Sequence, residues 1–156
     1  VIVIDASLVA GVLLGESEVG DAMDQVAREA RGGLVAPDLI AIEVASAVIS
    51  SRRTSARQRG ASKSTAVPGS LAALPSGEVW SELMRRFALI DLSLEPMSGG
   101  ARLARAFEIA ELARVGIYDA IYLSLASELR APIATLDSAM VGAARAIGLR
   151  AVPEGS

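Results

Sequence analysis

Apolar positions along this chain fall into two alternating rhythms. Short β-branched runs are followed by longer stretches in which apolar residues recur every three or four positions. Val1–Ile4 is such a run, stops at Asp5, and reads as a buried strand. Ser7 to Leu14 suits a short helix. Glu18 to Arg31 has helical spacing through Val19, Met23, Val26 and Ala27, with Gly32 and Gly33 as its stop. Leu34–Ala36 reads as a second strand, and Pro37-Asp38 opens a helix carrying Leu39, Ile42, Glu43, Ala45, Ala47 and Val48 to about Arg53. Later come a helix over Glu78 to Phe87, a strand over Ala88–Leu92, and a helix over Gly99 to Arg114 stopped by Gly116. A helix over Asp119 to Arg130, a strand over Pro132–Thr135, a helix over Ser138 to Ile147 and an edge strand over Arg150–Val152 complete the pattern.

Strands that are apolar on both faces and alternate with helices imply a parallel sheet covered on both sides. The predicted fold is therefore α/β, a three-layer α/β/α sandwich with a central, mainly parallel sheet of four or five short strands. One segment breaks the rhythm. Thr54 to Gly77 is rich in Ser, Ala and Gly, contains Pro68 and Pro75, and has basic residues without an acid. It reads as a flexible or disordered excursion, with room for a frayed helical start, from a single domain spanning residues 1–156, and its removal (Ser55–Ser76) is expected to leave the fold intact.

Composition narrows the chemistry. The 156 residues are 52% hydrophobic with few aromatics, so the core must be built from Ala, Val, Leu and Ile. No apolar run approaches the roughly 20 residues of a membrane span, and Val1–Ile4 is too short for a signal-peptide core. A cytoplasmic protein is expected. Cysteine is absent, which removes disulfides, zinc–thiolate sites and thiol catalysis. Histidine is absent too, which removes the Ser-His-Asp triad, histidine metal sites and two-histidine RNA cleavage. Acid–base or metal work then falls to Asp, Glu, Lys, Tyr, Ser or Thr.

Four acids stand where such work is done. In open parallel sheets, ligands bind beyond the carboxyl ends of the strands. Asp5 follows the first strand, and Asp137 follows Pro132–Thr135. Asp119 opens a helix, and Glu43 lies about one turn into another. Each has a plain structural alternative. Asp5, Asp119 and Asp137 could cap helices, and Glu43 could pair with an arginine. Taken together, four acids from distant segments could converge on one rim. Converging carboxylates repel and need shared protons or a cation. Oxygen ligands without His or Cys select Mg²⁺ or Mn²⁺, and the matching reaction is hydrolysis of a phosphodiester by water.

The net charge of −3 is unusual for a nucleic-acid binder. Arg52, Arg53, Arg57, Arg59 and Lys63 form the one basic run, either a clamp for an RNA backbone or a solvated helix end. Tyr118 and Tyr122 lie four apart around Asp119, spaced for packing on one helix face or for stacking on bases. A phosphoacceptor domain needs a lysine at its site, and the only lysine is Lys63. A haloacid-type phosphatase needs a second Asp at position 7, which is serine.

The chain resembles the PIN-domain family, and especially its VapC-type toxins. The resemblance rests on Val3-Ile4-Asp5-Ala6-Ser7, on Pro37-Asp38-Leu39 through Glu43, on Tyr118-Asp119-Ala120-Ile121-Tyr122 with Ala126, and on Thr135-Leu136-Asp137. It implies a metal-dependent endoribonuclease in which Asp5, Glu43, Asp119 and Asp137 are the acidic set, with Asp5 and Asp119 as the core metal ligands. Ser7 and Thr135 match the polar residues that accompany those acids. It further implies an RNA substrate, a homodimer, and a cognate antitoxin that holds a toxin member inactive. The alternatives are a PIN-like RNA-processing nuclease that is not a toxin and a degenerate PIN-like binding module. Toxin members have a tighter connection where Thr54–Gly77 lies.

Overall fold

The computed structural model describes residues 1–17, 19–61, 71, 74–97 and 99–153, and for 58–61 the backbone alone. Five strands, β1 (Ile2–Ile4), β2 (Leu34–Pro37), β3 (Leu92–Glu95), β4 (Ile133–Ala134) and β5 (Ala151–Val152), form one sheet in the order β3-β2-β1-β4-β5. Every pairing is parallel. The connecting helices are α1 (Ala6–Leu14), α2 (Val19–Glu29), α3 (Ile40–Ala61), α4 (Ser76–Phe87), α5 (Gly100–Ala113), α6 (Ile117–Leu129) and α7 (Ser138–Ala146). They cover the sheet as an α/β/α sandwich, as the alternating pattern implies.

β1 lies at the centre because all three of its residues are apolar and buried. Helix α6 packs across β1, β2 and β4, and α5 lies against α6. On the other elements, α1 gathers α2, α3 and α4. Gly15 closes α1 at φ 74, a left-handed conformation that glycine adopts without a steric cost, and its N–H reaches the Gly11 and Val12 carbonyls.

Three expectations need correction. The strand expected at Ala88–Leu92 lies at Leu92–Glu95, and Ala88–Ile90 is a turn after α4. The Asp119 helix begins two residues earlier, at Ile117, and Gly116 is its N-cap rather than the stop of α5. Helix α5 ends instead on Arg114, in a left-handed conformation at φ 56. Third, α3 continues past Arg53 to Ala61, so residues 54–61 extend that helix as a continuous, rather than frayed, helical start to the segment. Leu71 is fully buried in the core. The expected excursion thus supplies a helix end and a core residue, which speaks against free removal of Ser55–Ser76. Residues 62–70, 72 and 73 lie outside the described residues, Lys63 and Pro68 among them.

Candidate active site

The chain runs from β1 outward through β2 to β3 on one side, then returns to place β4 and β5 on the other. The direction of strand order therefore reverses between β1 and β4. This is where parallel sheets open a crevice at their carboxyl ends. Asp5 leaves β1 at that crevice and Thr135 leaves β4 beside it.

A hydrogen bond spans the crevice. Thr135 Oγ1 donates to Asp5 Oδ2 at 2.9 Å, and Ser7 Oγ donates to the same oxygen at 2.5 Å. Asp5 stands at the N-cap position of α1, yet its side chain forms no capping bond. The plain capping alternative therefore does not describe it. Its carboxylate is buried and is fixed by two hydroxyls on one oxygen. Thr135 is also fully buried, and its Oγ1 accepts the Asp137 N–H at 3.0 Å.

Glu43 and Asp119 each sit in the first turn of a helix, α3 and α6, where the free N–H groups favour negative charge. The Tyr122 phenol donates to Glu43 Oε2 at 2.5 Å. Burial raises the pKa of Glu43, the Tyr122 bond opposes that rise, and the charges of Asp5 and Asp119 add to it. Burial also raises Asp119, helped by the charges of Asp137 and Asp5. Burial and the bond to Glu43 push the Tyr122 phenol above its ordinary value, which favours its protonated, donating form. Asp5, Glu43 and Asp119 are thus within reach of one another's fields, and Asp137 within reach of Asp119. Among the described residues none of the four is ion-paired.

Asp137 has a second task. It is the N-cap of α7, and its Oδ1 accepts from the Ala139 and Met140 N–H groups at 2.7 and 3.3 Å. Its exposed position puts it at the rim of the group.

The donor set suits a hard divalent cation. It is all oxygen, carries up to four negative charges, and among the described residues has no cationic partner and no side-chain hydrogen bond to Asp5 Oδ1 or Glu43 Oε1. No three of these acids close on a single point as a finished ion cage among the described residues. Mg²⁺ commonly binds through one or two carboxylates and completes its shell with water and phosphate oxygens, so the arrangement fits such an ion.

The basic run is dispersed. Arg52 gives Nη1 to the Leu71 and Leu74 carbonyls, both at 2.8 Å, and Nη2 to Ser76 Oγ at 3.3 Å. Nine residues of helix put it about 180° around α3 from Glu43. Arg53 and Trp80 line an apolar cleft between α3 and α4 on that far side. Arg57 is exposed and lies about 21 Å along the helix from Glu43. The Arg59 side chain is outside the described residues.

Sequence reasoning missed Tyr122 as the partner of Glu43. The available signal was its spacing: three residues after Asp119, it shares a helix face with that acid, and a phenol tip in a core needs an acceptor. The two tyrosines also part company. Tyr122 is buried at 1% exposure, whereas Tyr118 is 60% exposed. Side chains lean toward the N-terminus of their helix, and Tyr118 is in the opening turn of α6, where no further turn of that helix lies ahead to cover it.

A parallel α/β sandwich with acids gathered at its switch point is the class defined by these features. A family model described as PIN domain matches residues 2–146, and the chain belongs to that family. PIN domains are in general nucleases, hence hydrolases acting on nucleic acid. No curated relative matches the chain. No described helix is long and apolar enough to cross a membrane.

Proposed function

We propose that this chain is a Mg²⁺- or Mn²⁺-dependent endoribonuclease and the VapC-type toxin of a type II toxin–antitoxin pair. The observation that supports the reading is that Asp5, Glu43 and Asp119 act on one another's charge near the sheet's switch point, with Asp137 acting on Asp119, and without a cationic partner among the described residues. Asp5 and Asp119 are the direct metal ligands, Glu43 comes next, and Asp137 with Thr135 forms the outer edge. A bound Mg²⁺ or Mn²⁺ supplies an acidified water and a clamp on a phosphate oxygen.

The chain's own residues set the geometry. Ser7 and Thr135 hold Asp5 by Oδ2, which leaves Oδ1 available to a cation. Tyr122 holds Glu43 by Oε2, leaving Oε1 to orient the attacking water and accept its proton. A cognate antitoxin, a homodimeric state and a cytoplasmic site of action belong to the same proposal. Exposed apolar side chains such as Leu89, Phe107 and Leu112 are consistent with protein partners.

The test is cleavage of RNA by the purified chain. We expect activity with Mg²⁺ or Mn²⁺, none with EDTA, and at least a roughly 100-fold loss in Asp5→Asn or Asp119→Asn. Undiminished cleavage by Asp5→Asn would refute the site. For the toxin role, expression should arrest growth only in the active form, and the product of an adjacent small reading frame should relieve it. Growth unaffected by the active enzyme would leave a nuclease that is not a toxin.

A further inference from the structure

We propose that Tyr118, with Ile42 and the serines of α3, forms a stacking subsite for one unpaired nucleobase beside the acidic group. The inference rests on the nuclease reading above and adds a place where the substrate is gripped.

Tyr118 immediately precedes Asp119, yet its ring is 60% exposed. It lines a cavity of about 460 Å³ together with Leu39, Ile42, Glu43, Ser46 and Ser50. Glu43 belongs both to this cavity and to the acidic group, so the two adjoin at that residue. Ile42 beside it is 74% exposed, and the Tyr118 hydroxyl has no hydrogen-bond partner among the described residues. The chain has only two tyrosines, two phenylalanines and one tryptophan. Leaving an aromatic ring and an isoleucine in water at one spot forgoes burial that each could contribute to folding.

The lining selects the occupant. Its one charged group is Glu43 and no cationic side chain lines it, so the cavity itself offers nothing to hold a phosphate or another anion. What remains is a flat aromatic face, an apolar floor and two hydroxyls. Those match a neutral heterocycle with a polar edge, the ring lying on Tyr118 and the edge turned to Ser46 or Ser50. A base can offer a whole face to a side chain only when it is unstacked. The subsite therefore takes a nucleotide next to the scissile bond whose base is splayed out of any helix.

The test uses a single-stranded oligoribonucleotide carrying 2-aminopurine, with Ca²⁺ in place of Mg²⁺ for binding and Mg²⁺ for turnover. Stacking on Tyr118 should quench 2-aminopurine fluorescence at one nucleotide position in wild type. Tyr118→Ala should abolish the quench, weaken binding about 5- to 150-fold, and raise KM more than it lowers kcat. Tyr118→Phe should retain binding within about twofold, since the face and not the hydroxyl is used. Equal binding by wild type and Tyr118→Ala would overturn the subsite while leaving the nuclease reading intact, provided wild type cleaves. A Tyr118→Phe variant as weak as Tyr118→Ala would overturn it as well. So would a Tyr118→Ala chain that binds RNA normally but sediments as a monomer where wild type is a dimer, because the patch would then be a self-interface. Failure of wild type to bind or cleave RNA would remove both readings together.

Discussion

The Tyr122 phenol and Glu43 Oε2 stand 2.5 Å apart, a hydrogen bond between residues 79 positions apart that ties α6 to α3 across the acidic group. Glu43 is pulled in two directions. Burial raises its pKa, and the phenol is the one lowering influence, because it donates to the ionised form. Replacing Tyr122 by Phe keeps the ring and removes that donor. The Glu43 pKa must then climb further, so the acid limb of the pH–rate profile moves to higher pH. Turnover on the plateau should fall about 10-fold or more, because the carboxylate is no longer oriented. Folding stability should drop by only about 1 kcal/mol. An unchanged acid limb would mean that Glu43 does not ionise in the rate-limiting step.

Metal binding should be visible in stability as well as in turnover. Glu43 and Asp119 both have raised pKa values in the folded chain. Between the ordinary carboxyl range and those raised values, the folded state holds more protons than the unfolded state. The contribution of these groups to stability is therefore most favourable below the ordinary carboxyl pKa, and it declines as pH rises through the folded values. Raising the pH through those values brings the repulsion on in the metal-free chain, so it is greater at pH 7 than at pH 4. Mn²⁺ or Mg²⁺ at 100 times its dissociation constant should stabilise the chain by about 2.7 kcal/mol at pH 7, and by much less near pH 4. Asp119→Asn should melt higher than wild type without metal at pH 7, with the difference closing on acidification. If the metal raises the melting temperature of an Asp5→Asn, Asp119→Asn double variant as much as that of wild type, it binds elsewhere.

Arg52 is expected to act on folding and not on RNA. Its guanidinium satisfies the Leu71 and Leu74 carbonyls and so fastens the connection between α3 and α4 to the core. Arg52→Ala leaves both carbonyls to find other donors and should cost about 1–3 kcal/mol in urea unfolding. Arg52→Lys should recover little, since a single ammonium does not reproduce the planar fork. Neither variant should alter the salt dependence of RNA binding, which would change if Arg52 contacted phosphate. A salt slope reduced by about one unit in Arg52→Ala would reinstate it as an RNA contact.

The parts of this molecule that could be read in sequence are those encoded locally. Ile2–Ile4 followed by Asp5, and Ile133–Ala134 followed by Thr135 and Asp137, combine a buried strand with an acid at its carboxyl end, and both elements fall where the pattern put them. β3 did not, because it is an edge strand. Leu92-Ser93-Leu94-Glu95 alternates and is partly exposed, whereas the more apolar Ala88-Leu89-Ile90 looked like a buried strand but forms a turn with Leu89 74% exposed. The end of α3 was hidden for a different reason. Residues 54–61 lack apolar periodicity, but extending an existing helix costs far less than starting one. Contacts such as Tyr122 with Glu43 or Arg52 with Leu71 join distant positions, and no local window contains both partners.

Asp137 offers the cleanest separation of structure from chemistry. Its Oδ1 caps α7 through the Ala139 and Met140 N–H groups, while its charge helps to raise the pKa of Asp119. Asparagine caps about as well as aspartate but carries no charge, and alanine does neither. Asp137→Ala should therefore lose about 1 kcal/mol of stability, and Asp137→Asn should lose almost none. Both should lower the Asp119 pKa by removing the same neighbouring charge. If Asp137 also serves the metal, the two variants should lose cleavage alike despite their different stabilities, and raising Mn²⁺ should restore part of the rate. If Asp137→Asn cleaves as fast as wild type, the residue is a helix cap alone, and the working group contracts to Asp5, Glu43 and Asp119.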